Sequence, residues 1–211
     1  MMAKNEQQEQ KLRFHGKGHL SKSYNGTRKL KSRKILEMLA EPSIILQAFD
    51  LELLDLAEIA KIFAENTENS DLLLLSGKVG SGKTEFARLI IKANAKKENI
   101  GIEEISSPTF SLVQSYEFKC RKISHIDLYR VKSELELFEL GIPDVFDSQI
   151  TILEWPEILE IESLPRYVSI KILETKKLKK YRNVEVAFFG DGWDDLIGAL
   201  LGSRQFDKQN I

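Results

Sequence analysis

At 211 residues and 42% hydrophobic content, the chain can bury one core of ordinary domain size and carry an extension besides. Its 31 basic and 32 acidic residues leave a net charge of -1, which excludes attraction to polyanions by the molecule as a whole; any contact with nucleic acid must come from a local patch. A single cysteine, Cys120, excludes an internal disulfide, and no apolar run approaches the roughly 20 residues of a membrane span, so a soluble, cytoplasmic protein with no membrane partner is expected.

Residues 1–42 are polar and basic, with Lys4, Lys11, Arg13, Lys17, Lys22, Arg28, Lys29, Lys31, Arg33 and Lys34 against few acids. Such a stretch buries too little surface to offset its ordering entropy and is expected to be a flexible extension. From Ser43 the pattern alternates between strand and helix signals. Ile44 to Phe49 predicts a strand. Leu53, Leu56, Ala57, Ala60 and Phe63 recur at helical spacing and predict an amphipathic helix over 51–65. The unbroken apolar run Leu72 to Leu75 suits a parallel strand covered on both faces. After a glycine-rich turn, Phe86, Leu89, Ile90 and Ala93 mark one face of a second helix. Further strands are predicted over 111–118, 122–126, 150–153, 168–173 and 184–189, the last two joined as a hairpin through the lysine-rich turn 176–180. Residues 191–211 read as a tail with a weak amphipathic signal around Trp193 to Leu201. The expected fold is α/β, a P-loop NTPase-like three-layer sandwich with a mostly parallel central sheet and a C-terminal antiparallel hairpin, over residues 43–190.

Gly77-Lys78-Val79-Gly80-Ser81-Gly82-Lys83-Thr84 matches G-x-x-x-x-G-K-[ST] at every specified position and lies between an apolar strand and an amphipathic helix. Glycines let the backbone curl so that successive N–H groups converge on phosphate oxygens, and the positive end of the following helix adds to that field. Lys83 can reach the terminal phosphates and the Thr84 hydroxyl can ligate Mg²⁺. Hydrolysis needs a further carboxylate near the metal and a group that positions water. Two stand at the ends of predicted strands, where open α/β sheets place their ligands: Asp127 and Glu154, either of which could be the metal-side acid. Ser107-Pro108-Thr109 lies where nucleotide switches place a threonine. Neither Asn-Lys-x-Asp nor Thr-Lys-x-Asp occurs, which favours ATP over GTP.

In order, the loop 77–84, Ser107-Pro108-Thr109-Phe110-Ser111-Leu112-Val113, His125-Ile126-Asp127-Leu128-Tyr129-Arg130, Glu139-Leu140-Gly141-Ile142 and Leu153-Glu154-Trp155-Pro156 resemble the bacterial TsaE (YjeE) family over about residues 44–189. The resemblance implies a small ATPase that works with TsaD and TsaB to make N6-threonylcarbamoyladenosine at position 37 of tRNAs reading ANN codons, meeting tRNA through that complex. It implies that Thr84 and Glu154 hold Mg²⁺, that Lys83, Asp127 and Glu154 serve ATP turnover, and that Thr109, Trp155 and a basic residue of the late hairpin lie near the nucleotide. Lys179, Lys180 and Arg182 are candidates for the last, with Arg182 preferred. The chain departs from the family at Glu85, where a second Thr or Ser is usual, and at Lys78 and Ser81. Glu85 puts an extra negative charge near the triphosphate, which Lys78 is placed to offset.

Two further readings share the P-loop. In one, ATP binding orders the loop around Thr109 to dock a partner and hydrolysis is incidental. In the other the chain is a small-molecule kinase, against which stands the lack of an arginine-rich lid. The basic extension is a candidate electrostatic arm for tRNA backbone.

Overall fold

Leu72–Ser76 forms a strand, β2, in the middle of a seven-stranded sheet of order β1-β7-β6-β2-β5-β4-β3. The computed structural model describes residues 41–206 apart from 103, 160–163 and 165; the basic stretch 1–40 and residues 207–211 lie outside them. In chain order the strands are β1 (Ile44–Leu51), β2, β3 (Val113–Glu117), β4 (Lys122–Asp127), β5 (Ile150–Glu154), β6 (Tyr167–Glu174) and β7 (Arg182–Phe189). The helices are α1 (Leu53–Asn66), α2 (Lys83–Lys97), α3 (Glu134–Glu139), α4 (Ile142–Phe146) and α5 (Asp194–Leu201).

The expected strands and the two long helices are present, with bounds that move by one or two residues. The expected parallel centre and C-terminal antiparallel hairpin are both present, and antiparallel strands also close the two edges. The four central strands β6-β2-β5-β4 run parallel, whereas β1, β7 and β3 pair antiparallel at the two edges. Connection length explains the pairing of β3 with β4. Only Phe118 to Arg121 join β3 to β4, and a parallel pair needs a crossover of a dozen residues or more. β6 and β7 form the predicted hairpin through the lysine-rich turn.

Both faces of the central strands are covered, as the apolar run of β2 requires. Leu73 and Leu75 point into a core with Ile59, Ala60 and Phe63 of α1 and Phe86, Ile90 and Ile91 of α2. Leu72 and Leu74 point the other way, against Ile126, Leu128, Leu153, Leu137 of α3 and Ile142 of α4. Phe63 and Phe86 meet edge to face with ring centroids 6.0 Å apart, tying α1 to α2. The stretch read as a C-terminal tail folds back: Trp193, Leu196, Leu200 and Phe206 are buried in the α1–α2 core. Its weak signal reflects a short helix whose apolar face is completed by partners distant in sequence.

Alternation along the strands decides which side chains share a face. Ile123, His125 and Asp127 of β4 lie on one face, and so do Ile150, Ile152 and Glu154 of β5. Ile123, Ile150 and Ile152 belong to the core beneath α2, so this is the face on which the first turn of α2 rests. The parallel register pairs Asp127 with Glu154 and Leu75 with Glu154, so β2, β5 and β4 all end along the same edge.

Candidate nucleotide-binding site

That edge carries a cavity of about 390 Å³ lined by Val79, Gly80, Gly82, Lys83, Thr84, Glu85, Arg88, Thr109, Asp127, Tyr129, Glu154 and Trp155. Its floor is the loop between β2 and α2. The loop begins at Gly77, whose φ of +139° is open to glycine and strained for other residues; a Cβ there would lie 2.4 Å from the backbone oxygen of Ile172 on β6. The chain leaves β2 hard against β6 and curls at once into the first turn of α2.

Thr84 and Glu154 meet across the cavity: the threonine hydroxyl donates to Oε2 of Glu154 at 2.9 Å. The other carboxylate oxygen, Oε1, lies 2.8 Å from Nε2 of His125, which is fully buried. Asp127 faces the Ser-Pro-Thr segment. Thr109 donates to its Oδ2 at 2.5 Å, and the Tyr129 amide donates to its Oδ1 at 2.9 Å. The hydroxyls of Ser107 and Thr109 are 3.0 Å apart. The main chain stitches these strand ends together: Leu128 N–H donates to Glu154 O at 3.0 Å, and Trp155 N–H to Leu75 O at 3.1 Å.

Lys83 is nearly buried, at 4% exposure. Its ammonium donates to the carbonyls of Gly77 (2.9 Å) and Lys78 (3.1 Å) and sits 3.7 Å from the centre of the Trp155 ring. Burial pushes its pKa below the ordinary lysine value, while Glu154, Asp127 and Glu157 pull it back up. Trp155 is held over the lysine by a left-handed backbone, φ 61° and ψ 59°, immediately before Pro156. That conformation is disfavoured for a residue preceding proline, and strain of this kind is commonest at functional sites. The Tyr129 ring lies 4.9 Å from Trp155 on the outer side.

Lys83, Thr84, Glu85, Thr109, Asp127, Glu154 and Trp155 thus converge on one cavity with Val79, Gly80 and Gly82. Gly77, Lys78 and Ser81 do not line it. Arg182, expected near the nucleotide, also stands outside it. Its guanidinium grips the loop from behind, donating to the carbonyls of Ser81 (2.6 Å), Gly80 (3.3 Å) and Tyr181 (2.8 Å). Carbonyls drawn outward leave the opposite side of those peptides, the N–H side, for the cavity. Glu85 finds its counter-charge in Arg88, one turn along α2, at 3.5 Å, and not in Lys78. Arg88 also donates to the carbonyl of Ile105 at 2.7 Å, fixing the segment that leads to Thr109.

Arg88 and His125 were not singled out from the sequence as site residues. The signal for Arg88 was its spacing of four from Thr84, which places both on one side of the first helical turns. For His125 it was the alternation His-x-Asp at a strand end, which puts both side chains on one face.

Hydroxyl and carboxylate oxygens held together at Thr84 and Glu154, beside a glycine-rich loop, are a donor set for a hard divalent cation. Among the described residues no group of three or more His, Cys, Asp or Glu is arranged to hold a metal unaided. A cation here would draw its remaining ligands from phosphate and water, as Mg²⁺ does in triphosphate sites.

The loop, the helix behind it and the carboxylates at neighbouring strand ends define an α/β protein of P-loop-like fold. The YdiB crystal structure from Bacillus subtilis has the same fold, with a TM-score of 0.56 at 22% identity over 74% of this chain and 94% of that one. The chain belongs to the TsaE family: residues 52–184 match the family described as threonylcarbamoyl adenosine biosynthesis protein TsaE. It is 40% identical over 120 residues to the tRNA threonylcarbamoyladenosine biosynthesis protein TsaE of Rickettsia typhi, covering 56% of this chain and 81% of that one. The Bacillus subtilis protein of that name is 34% identical over 110 residues, covering 51% and 64%. The family acts in the biosynthesis of a modified tRNA nucleoside. Among the described residues no helix is long and apolar enough to cross a membrane.

Proposed function

We propose that this chain binds and hydrolyses ATP with Mg²⁺ in the service of threonylcarbamoylation of adenosine 37 in tRNAs reading ANN codons, in the cytoplasm and together with TsaD and TsaB homologues. The observation that carries the proposal is the 2.9 Å contact between Thr84 and Glu154 within the cavity that also holds Lys83. Thr84 and Glu154 would hold Mg²⁺, which when bound offsets charge on the phosphate oxygens.

The chain's own residues supply the rest. Inward-facing amides of the loop and the positive end of α2 cradle the phosphates. Lys83 exchanges its bonds to the Gly77 and Lys78 carbonyls for phosphate oxygens, and the Trp155 ring shields it from water. Asp127 orients the attacking water, its side chain fixed by Thr109 and the Tyr129 amide. Gly77 and Lys78 form the entry to the loop, and Arg182 braces it.

Partner dependence is supported by exposed apolar side chains, one of them beside Thr109. Phe110, next to Thr109, is 87% exposed, and Leu135 and Phe138 of α3 are each 68% exposed. Because Phe110 follows the threonine that contacts Asp127, the same geometry favours a second reading: a nucleotide-dependent assembly switch with incidental hydrolysis. tRNA is met through the complex, with the basic stretch 1–40 a candidate contact.

ATPase activity measured alone and with the organism's TsaD and TsaB homologues tests the proposal; a partner-dependent rise is expected. Lys83→Ala should abolish nucleotide binding and support of the modification together, and normal modified-tRNA levels in a strain carrying only that variant would refute it. Glu154→Gln separates the two readings, since an assembly switch keeps working when turnover is lost.

A further inference from the structure

His125 takes no part in the chemistry above, yet it is wholly buried and touches the proposed cation site. It lies two residues before Asp127 on the same face of β4, in register with Ile152 of β5, and so reaches diagonally to Glu154. Its Nε2 is 2.8 Å from Oε1 of Glu154, while Oε2 of the same carboxylate receives the Thr84 hydroxyl at 2.9 Å. An ionised carboxylate only accepts hydrogen bonds, so Nε2 carries the hydrogen. Nδ1 is buried and has no hydrogen-bond partner among the described residues. On the face it shares with Ile123, Ile150 and Ile152, an aliphatic residue would fill this position with no orphaned ring nitrogen, which costs free energy; only the partner of Glu154 Oε1 would be lost. Among the described residues the imidazole's polar contact is to Glu154.

We propose that His125 is a positioning residue for the divalent cation. Its Nε2–H clamps Oε1 of Glu154 from behind, so the carboxylate cannot rotate about its last bond, and Oε2 alone is presented beside Thr84. Without the clamp, the Glu154 carboxylate is free to rotate, and the oxygen pair that receives the cation is populated only part of the time. The inference rests on Thr84 and Glu154 being cation ligands. It assigns His125 to the metal step and predicts no effect on how the loop meets bare nucleotide.

The test measures binding of a fluorescent ATP analogue to the full chain, first with EDTA and then across a Mg²⁺ titration, for the parent and for His125→Leu, His125→Asn and His125→Gln. Gln can place an amide N–H where Nε2 stands; Asn is too short and Leu has no donor. Expected are an unchanged affinity in EDTA for all four proteins, a Mg²⁺ midpoint raised about 10- to 100-fold for Leu and Asn, and recovery to within about threefold of the parent for Gln. Thermal melts identify any variant that fails to fold; if Leu does, the Asn and Gln pair still decides. A parental midpoint in a folded Leu or Asn variant would overturn the proposal, as would equal impairment of Asn and Gln. A parent whose nucleotide binding ignores Mg²⁺ would remove the cation site itself, and the proposal with it.

Discussion

Gly77→Ala should be the most damaging single-methyl change in the phosphate loop, and two other glycines calibrate it. The alanine Cβ would lie 2.4 Å from the backbone oxygen of Ile172 and 2.8 Å from Oγ of Ser81, with φ held at +139°. The hydroxyl could rotate away, but the Ile172 carbonyl is fixed in β6, between β2 and β7. Backbone strain of about 1–3 kcal/mol and overpacking of about 1–3 kcal/mol together give about 2–6 kcal/mol. In a folded region of this size each kcal/mol moves the melting temperature by about 2–4 °C, so a drop of roughly 5–20 °C is expected. Gly80 also has a positive φ, +78°, but nothing lies within 4 Å of its Cβ position, so Gly80→Ala should cost only strain, about 1–2 kcal/mol. Gly101 has open space and no positive φ, and Gly101→Ala should leave the melting temperature unchanged or slightly raised. Circular dichroism melts of the three variants, with nucleotide affinity measured alongside, give the order directly. A Gly77→Ala variant that melts with Gly80→Ala, or within 2 °C of the parent, would show that the close approach to β6 is not what requires glycine.

Two further outcomes follow from the charges around the site and the sheet. Glu85→Thr removes a negative charge beside Thr84 and frees Arg88; at about 6 Å and an effective dielectric between 20 and 80 that charge is worth about 0.7–3 kcal/mol. Nucleotide binding should tighten roughly three- to hundredfold at low salt and less at high salt, and weaker binding would contradict the pairing with Arg88. Asp71 is buried at the start of β2; burial raises its pKa, opposed by the Glu68 amide and by Arg166 at 3.0 Å. Because the folded value lies above the unfolded one of about 3.9, its contribution to stability is full below that pH and is lost as pH rises through the folded value. Asp71→Asn should therefore gain stability relative to the parent between about pH 4 and 7, and a melting-temperature difference that is flat or falls over that range would refute the assignment.

The elements most legible in the sequence are those whose signal is local. The run Leu72 to Leu75 announces a strand covered on both faces, and the loop from Gly77 to Thr84 announces its own conformation because glycine spacing sets which backbone angles are open. Asp127 and Glu154 were readable as strand-end carboxylates, but the residues alone left open which of them meets Thr84, and only the family resemblance pointed to Glu154. The choice depends on strand order: β5 and not β4 lies beside β2, so Glu154 stands next to the strand that leads into the loop, with Asp127 one strand further out. The directions of β1 and β3 are not written in the sequence, because apolar content says where a strand is buried and nothing about its direction. Arg182 was legible as a basic residue of the late hairpin; that it braces the loop from behind follows from the pairing of β6 and β7 beside β2.

By itself, then, the amino-acid sequence determined the phosphate loop, the alternation of strand and helix, and the carboxylates and threonine that serve the site, because each is written in residues close along the chain. Tertiary structure alone decided that Arg182 holds the loop and not the cavity, and that a buried histidine stands behind Glu154. Those pairings join segments up to a hundred residues apart. Their distances are set by strand order and register, which arise from the packing of the whole sheet and not from any one stretch of it.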